Sequence, residues 1–252
     1  MLRPIFDETW PVLVLPIGQS KNGSSGTFLA ADVSSIQWWV KPLNNAQSDR
    51  VTVTDYVVGK VGAMIGASVC EVSAVVIPPE LGGWVFRPGR SLEEGIAHGS
   101  RHVESVVEDR VLRDRDRDNN AVRHAGLLAL FDWCWGADPQ WLFQAIDDNA
   151  TFSHDHGHYL PDGPNWTIES LARDSELAHM PVWPQVGLDS MELARIADRL
   201  ACIQREEVEA VLNGVPASWP VSDAELEALG EFLVLRAVPC AHRLEAIAEH
   251  AV

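Results

Sequence analysis

The densest chemistry in this chain lies at residues 151–166, TFSHDHGHYLPDGPNW, where Asp155 sits within the run Phe152-Ser153-His154-Asp155-His156-Gly157-His158. A second aspartate, Asp138, precedes it by seventeen residues. Ionisable side chains crowded beside a glycine are unfavourable in a fold unless they bind something. Two chemistries compete. Asp155 suits a carboxylate that holds a metal ion beside phosphate oxygens, whereas His154, His156 and His158 suit imidazole ligands of a transition metal. In an extended strand the three alternating histidines would share one face, with Asp155 and Gly157 on the other. A zinc hydrolase built on them would need distal ligands, for which His98, His102, His124 and His179 are candidates. The plainer reading, in which each histidine hydrogen-bonds within the loop around Asp155, outweighs metal ligation, because zinc chemistry leaves Lys41 and Asp138 without a role.

The elements that must position these residues divide the chain. Short apolar or β-branched runs at 11–16, 27–31, 36–40 and 69–77, punctuated by Gly, Ser, Asn and Pro, predict strands. Between the last two, residues 52–65 repeat apolar positions at helical spacing and close at Gly66, which predicts a helix with a glycine C-cap. Residues 110–120, RVLRDRDRDNN, read as a solvated charged loop. From residue 121 onward the pattern predicts helices at 121–135, 189–212, 222–235 and 239–251. Ser222 with Glu225 forms a capping box. A β-rich lobe at 1–90 and a helical lobe at 91–252, meeting near 88–95, is the simplest architecture.

Composition narrows the partners. The 252 residues are 46% hydrophobic, which suits a globular core, and no apolar run approaches a membrane span. The opening residues lack the pattern of a signal peptide, so a cytoplasmic location is expected. Cys70, Cys134, Cys202 and Cys240 have no zinc spacing and read as reduced thiols. A net charge of −17 argues against a nucleic-acid or anionic-membrane surface. The ten tryptophans read as core fillers.

A cleft between two lobes suits a nucleotide, and the first lobe offers parts for one. Residues 17–26, IGQSKNGSSG, join two predicted strands, and Gly23, Ser24 and Ser25 would let backbone N–H groups approach phosphate oxygens. The same letters also describe a flexible hairpin loop. Lys41 ends an apolar strand, where a lysine either reaches solvent or meets an anion. Asp55, near the start of the following helix, is its candidate partner.

This order of a Gly/Ser-rich loop, Trp39-Val40-Lys41-Pro42-Leu43-Asn44-Asn45, a helix bearing Asp55 and ending Ile65-Gly66, then Phe131-Asp132-Trp133-Cys134-Trp135-Gly136-Ala137-Asp138 and Asp155-His156-Gly157, resembles the HipA-like branch of the protein-kinase and phosphatidylinositol-kinase superfamily. Within that branch it looks like a short, stand-alone bacterial or phage group. The resemblance spans about residues 16–166. It implies an α+β, bilobal protein-kinase-like fold that uses ATP and Mg²⁺ to phosphorylate a hydroxyl, with a protein serine or threonine as the expected acceptor.

By the same resemblance Lys41 holds the ATP phosphates and Asp55, where the family has Glu, pairs with it. Asp138 orients the acceptor, Asp132 braces the catalytic loop, and Asp155 binds Mg²⁺. One departure stands out. The family carries a metal-binding Asn five residues after the catalytic aspartate, and here that position is Phe143. Gln140, Gln144 and Asn149 are the substitutes within reach of the spacing, with Gln140 the chosen metal ligand. The departure keeps open a nucleotide-binding pseudokinase that regulates a partner without phosphoryl transfer.

Overall fold

The computed structural model describes residues 2–19, 26–45, 47–48 and 50–250. Its N-terminal part is a five-stranded antiparallel sheet in the order β1 (Leu13–Gln19), β2 (Phe28–Asp32), β3 (Gln37–Lys41), β7 (Gly95–Arg101) and β4 (Val72–Ile77). Helix α1 (Arg50–Ile65) crosses from β3 to β4 and is buried along most of its length, because the sheet covers one side and the C-terminal helices the other. Gly66, at φ 80°, ends it. The other face of the sheet closes over a small core of Leu13, Phe28, Trp38, Val40 and Ile77. The hairpin of β5 (Val85–Arg87) and β6 (Arg90–Ser91) delivers Phe86 and Leu92 to that core.

Strand β7 was not foreseen. His98-Gly99-Ser100, to which the sequence pattern assigns no strand, pairs with Trp39 to Lys41 on one side and Val72 to Ala74 on the other. The sheet therefore extends past residue 90, and the chain leaves it through residues 102–105. It enters a second sheet of three strands, ordered β10 (Ala150–His154), β9 (Gln140–Gln144), β8 (Val106–Asp109). Residues 140–154, expected to follow the helical pattern, form this β9–β10 hairpin instead.

The remainder is helical: α2 (Asn120–Trp133), α3 (Ile168–Asp174), α4 (Ser190–Ala201), α5 (Arg205–Asn213) and α6 (Asp223–His250). The single helix expected at 189–212 breaks at 202–204, where Gln204 and Glu207 open α5 with their own capping box. The two helices expected after residue 222 are one. Pro239 lies inside α6, where it has no N–H to donate to the Leu235 carbonyl, and Leu235 is 46% exposed. Burial of Phe232, Leu233, Cys240 and Leu244 on both sides of the proline offsets a break that costs about 3 kcal/mol. Ser222 and Glu225 exchange the expected capping bonds, Ser222 N–H donating to Glu225 at 2.8 Å and Glu225 N–H to Ser222 at 3.2 Å.

A buried ionic network ties α6 to α2. Arg236, 1% exposed, donates to the carbonyls of Trp133, Asp174 and Leu177 and pairs with Asp132, which is fully buried and also held by Arg243 at 2.7 Å. No helix among the described residues is long and apolar enough to cross a membrane. The described cysteines are free, with only Cys202 exposed.

Strand β9 decides where the side chains after Asp138 go. Its burial alternates, so Gln140 and Leu142 face one way while Trp141 and Phe143 pack with Leu127 in a separate apolar cluster. Phe143 is fully buried under the Arg113 guanidinium. Phe143→Asn is accordingly expected to lower stability by about 3 kcal/mol in chemical denaturation. An unchanged midpoint would mean that position 143 faces the opposite side of the strand.

Candidate functional site

Lys41 sits where three segments converge. The alternation of β3 sends Trp38 and Val40 into the sheet core and turns Trp39 and Lys41 toward a cavity of about 570 Å³ between the two sheets. From α1, Asp55 approaches Lys41 Nζ at 2.7 Å, and from the end of β10, Asp155 approaches it at 2.6 Å. Lys41 and Asp55 are each 3% exposed, whereas the Asp155 side chain keeps 35% of its surface open. A buried ammonium is tolerable only with such partners.

Burial works against the charge on Lys41, but Asp155 and Asp55 outweigh it and raise its pKa above the usual lysine value. Burial likewise disfavours the Asp55 carboxylate, and Lys41 reverses this to hold Asp55 well below the ordinary range. Lys41 lowers Asp155 as well, against burial. Asp55 has one further anchor, accepting the backbone N–H of His156 at 2.7 Å. It therefore joins β3 to the turn that carries Asp155.

That turn explains the glycine in Asp155-His156-Gly157. Asp155 adopts a left-handed backbone at φ 54°, and the next turn packs on α1 so closely that a Cβ at Gly157 would lie 2.9 Å from Val51. The three histidines do not share a strand face. His154 ends β10 and His158 closes a 3₁₀ turn, both lining the cavity, whereas His156 points away to Ser153 at 2.8 Å. Among the described residues no group of three or more His, Cys, Asp or Glu converges as a metal site. The zinc reading of the histidine run is thereby corrected, because the chain turns at Asp155 instead of continuing as a strand.

Gln140, brought onto this wall by β9, donates from Nε2 to Asp155 at 3.2 Å. The other two substitutes are engaged elsewhere: Gln144 on the Glu104 carbonyl and Asn149 on Asp114. Asp138 lines the same cavity with a left-handed backbone, φ 49°, and its side chain is ion-paired with Arg110. Asp132 does not reach the cavity. Its carboxylate is sealed in the network with Arg236 and Arg243, and its carbonyl accepts the N–H of Trp135, in the turn that leads to Asp138, at 3.4 Å. Gly23, Ser24 and Ser25 lie outside the described residues, but Thr27, just after them, lines the cavity.

Sequence reasoning missed several wall residues. Arg110 belongs to the charge run set aside as solvated. Trp39, counted with the core, faces the cavity and donates its indole N–H to His102 Nδ1 at 3.1 Å. His98, one of the distal candidates for zinc, stands on β7 directly opposite Lys41. The Nε2 atoms of His98 and His154 are buried and have no hydrogen-bond partner among the described residues. Only the pairing of β7 with β3 brings His98 here, and no local signal announces it.

No family model matches the chain, and no curated protein matches it in sequence. Among solved structures it is similar to a Helicobacter pylori proinflammatory kinase, CtkA, at 13% identity and a TM-score of 0.64, over 99% of this chain and 100% of that one. The fold is a kinase-like bilobal fold. Its β-rich sheet and helical part correspond to the expected α+β class.

Acid should test the buried histidines. Burial lowers His98 and His156 from 6.5 to about 4 in the folded protein, so on acidification the unfolded chain takes up protons first. Their contribution to stability is complete above about pH 6.5 and declines as pH falls toward 4. The denaturation midpoint is expected to drop across that window, and less steeply in His98→Gln. Identical slopes would show that His98 is not held neutral by the fold.

Proposed function

We propose that this chain is an ATP-dependent phosphotransferase of the HipA-like kind, acting on a hydroxyl group, with a protein serine or threonine as acceptor. The observation that carries this reading is the buried Lys41 ammonium between Asp55 and Asp155 on the wall of a cavity of about 570 Å³, within the range of nucleotide-sized sites. Phosphate needs a cation, and Lys41 supplies one already aimed by Asp55. A hard divalent cation needs oxygen, and Mg²⁺ keeps most of its waters, so the Asp155 carboxylate and the Gln140 carboxamide oxygen suffice as protein ligands.

Bound here, ATP with Mg²⁺ would supply a transferable phosphoryl group whose charge spreads over its oxygens. Lys41 neutralises part of that charge, and Asp55 keeps the ammonium from following the ligand. Asp155, the more exposed of the two carboxylates on Lys41, would hold the metal, with Gln140 beside it. Asp138 accepts the hydrogen bond of the incoming hydroxyl and aligns its oxygen. Asp132 acts behind that loop rather than on the acceptor. We take residues 1–101 as the nucleotide-binding lobe and the rest as the catalytic lobe, in a cytoplasmic protein. The net charge of −17 supports a protein partner over nucleic acid.

A second reading is a pseudokinase that binds nucleotide and regulates a partner without transfer. Two observations favour it: Arg110 occupies the Asp138 carboxylate, and Phe143 offers no metal ligand.

ATP with Mg²⁺ is expected to raise the thermal midpoint, since binding to the folded state alone stabilises it, and Lys41→Ala should remove most of the shift. A shift of equal size in the variant would exclude Lys41 from the nucleotide site. Transfer is a separate matter. Asp138→Asn should leave the ATP-induced shift intact while phosphate incorporation from radiolabelled ATP falls at least about 100-fold. A wild type that binds ATP yet labels no protein in a lysate of its host would decide for the pseudokinase.

A further inference from the structure

Between the end of α2 and Asp138 the chain makes a turn that its own residues do not favour. Trp135 and Asp138 both have left-handed backbones, at φ 55° and 49°. Non-glycine residues hold such conformations only where the surroundings over-determine them. At Gly136 a Cβ would lie 2.3 Å from the Phe131 ring, so the turn presses directly on α2. The Gly136 N–H donates to the Phe131 carbonyl at 2.7 Å.

The carbonyl of Gly136 is caught from a segment more than forty residues away in sequence. His179 Nε2 lies 2.7 Å from that oxygen. A carbonyl can only accept, so Nε2 carries the proton. The imidazole is stacked between Trp135, at 4.3 Å and 15°, and Phe131, at 5.4 Å and 9°. Its backbone N–H donates to Asp132 Oδ1 at 3.2 Å. Asp132 is fixed in turn by Arg243 and Arg236 of α6. Every freedom of the ring is thus removed: rotation by the two aromatic faces, translation by the backbone bond.

We propose that His179 is the positioning residue for Asp138, holding the 135–138 turn in register through the Gly136 carbonyl. For its kinetic consequence the proposal rests on the phosphotransferase reading; for the clamp itself it does not. His179 touches no cavity-lining atom of the reaction. It acts by keeping the strained peptide that ends in Asp138 from relaxing, and a displacement of about 1 Å at a reacting group lowers rates on the order of 100-fold. The same contact explains the burial of Asp132. Its carboxylate anchors the backbone of His179 to α6, and so places the C-terminal helix in mechanical series with Asp138.

Two variants separate the ring from its proton. His179→Phe keeps an aromatic ring between Trp135 and Phe131 and removes the Nε2 donor. His179→Gln returns an N–H donor to the same reach. In His179→Phe, kcat for phosphate transfer is expected to fall about 10- to 100-fold with KM for ATP within about twofold, and His179→Gln should regain part of the loss. Amide hydrogen exchange at residues 135–138 should accelerate roughly tenfold in His179→Phe, while α2 and α6 keep their protection. An undiminished kcat in His179→Phe, or a matched rise in KM for ATP, would overturn the positioning role. If the wild type transfers no phosphate, the phosphotransferase reading fails and exchange alone decides the clamp: acceleration confined to 135–138 supports it, and unchanged exchange refutes it.

Discussion

A lysine ammonium taken almost wholly out of water is the constraint around which this protein is organised. Removing such an ion from water costs several kcal/mol even after relaxation, and it is tolerated only when anionic partners and hydrogen bonds replace the lost water. Lys41 finds both partners at 2.7 Å or less. Asp55 comes from α1, the element that follows β3, and Asp155 from the end of β10, more than a hundred residues after Lys41. The ion cluster therefore forms only when the sheet, the crossing helix and the second sheet are all assembled. Asp55 tightens the junction, because its second oxygen holds the backbone of the turn that follows Asp155.

The two ionic clusters of the molecule differ in one respect that separates chemistry from architecture. Asp132, Arg236 and Arg243 form a set whose carboxylate is fully buried, and Arg236 also donates to the carbonyls of Trp133, Asp174 and Leu177. Nothing can enter without breaking it. Around Lys41 one carboxylate is sealed and the other keeps 35% of its side chain open to the cavity. That asymmetry leaves Asp155 able to exchange partners while Asp55 cannot. His98 and His154 also line this cavity, and their buried Nε2 atoms have no hydrogen-bond partner among the described residues.

Much of the framework was legible from the order of residues. Strands β1 to β4, helix α1 and its glycine cap, helix α2 and the capping box at Ser222 follow from local pattern, since each depends on neighbours within a few positions. Strand β7 and the β9–β10 hairpin were not legible. Their residues, His98-Gly99-Ser100 and 140–154, carry little periodicity of their own and become strands because partner strands are waiting on both sides. Pro239 misled for the converse reason. A proline breaks an isolated helix, but packing on α2 and α4 carries α6 through it.

The sequence by itself determined which side chains could do chemistry: Lys41 at a strand end, carboxylates at 55, 138 and 155, and a glycine after the last of them. Tertiary structure decided which way each one faces. In a strand, one position of offset reverses a side chain, so Gln140 reaches Asp155 while Phe143, five residues after Asp138, is shut in the core. A turn at Asp155 scattered three histidines that a straight strand would have aligned. The pairing of β7 with β3 brought His98 opposite Lys41, and the return of the chain after α3 set His179 against Gly136. These placements depend on contacts between residues far apart in the chain, and local spacing carries no record of them.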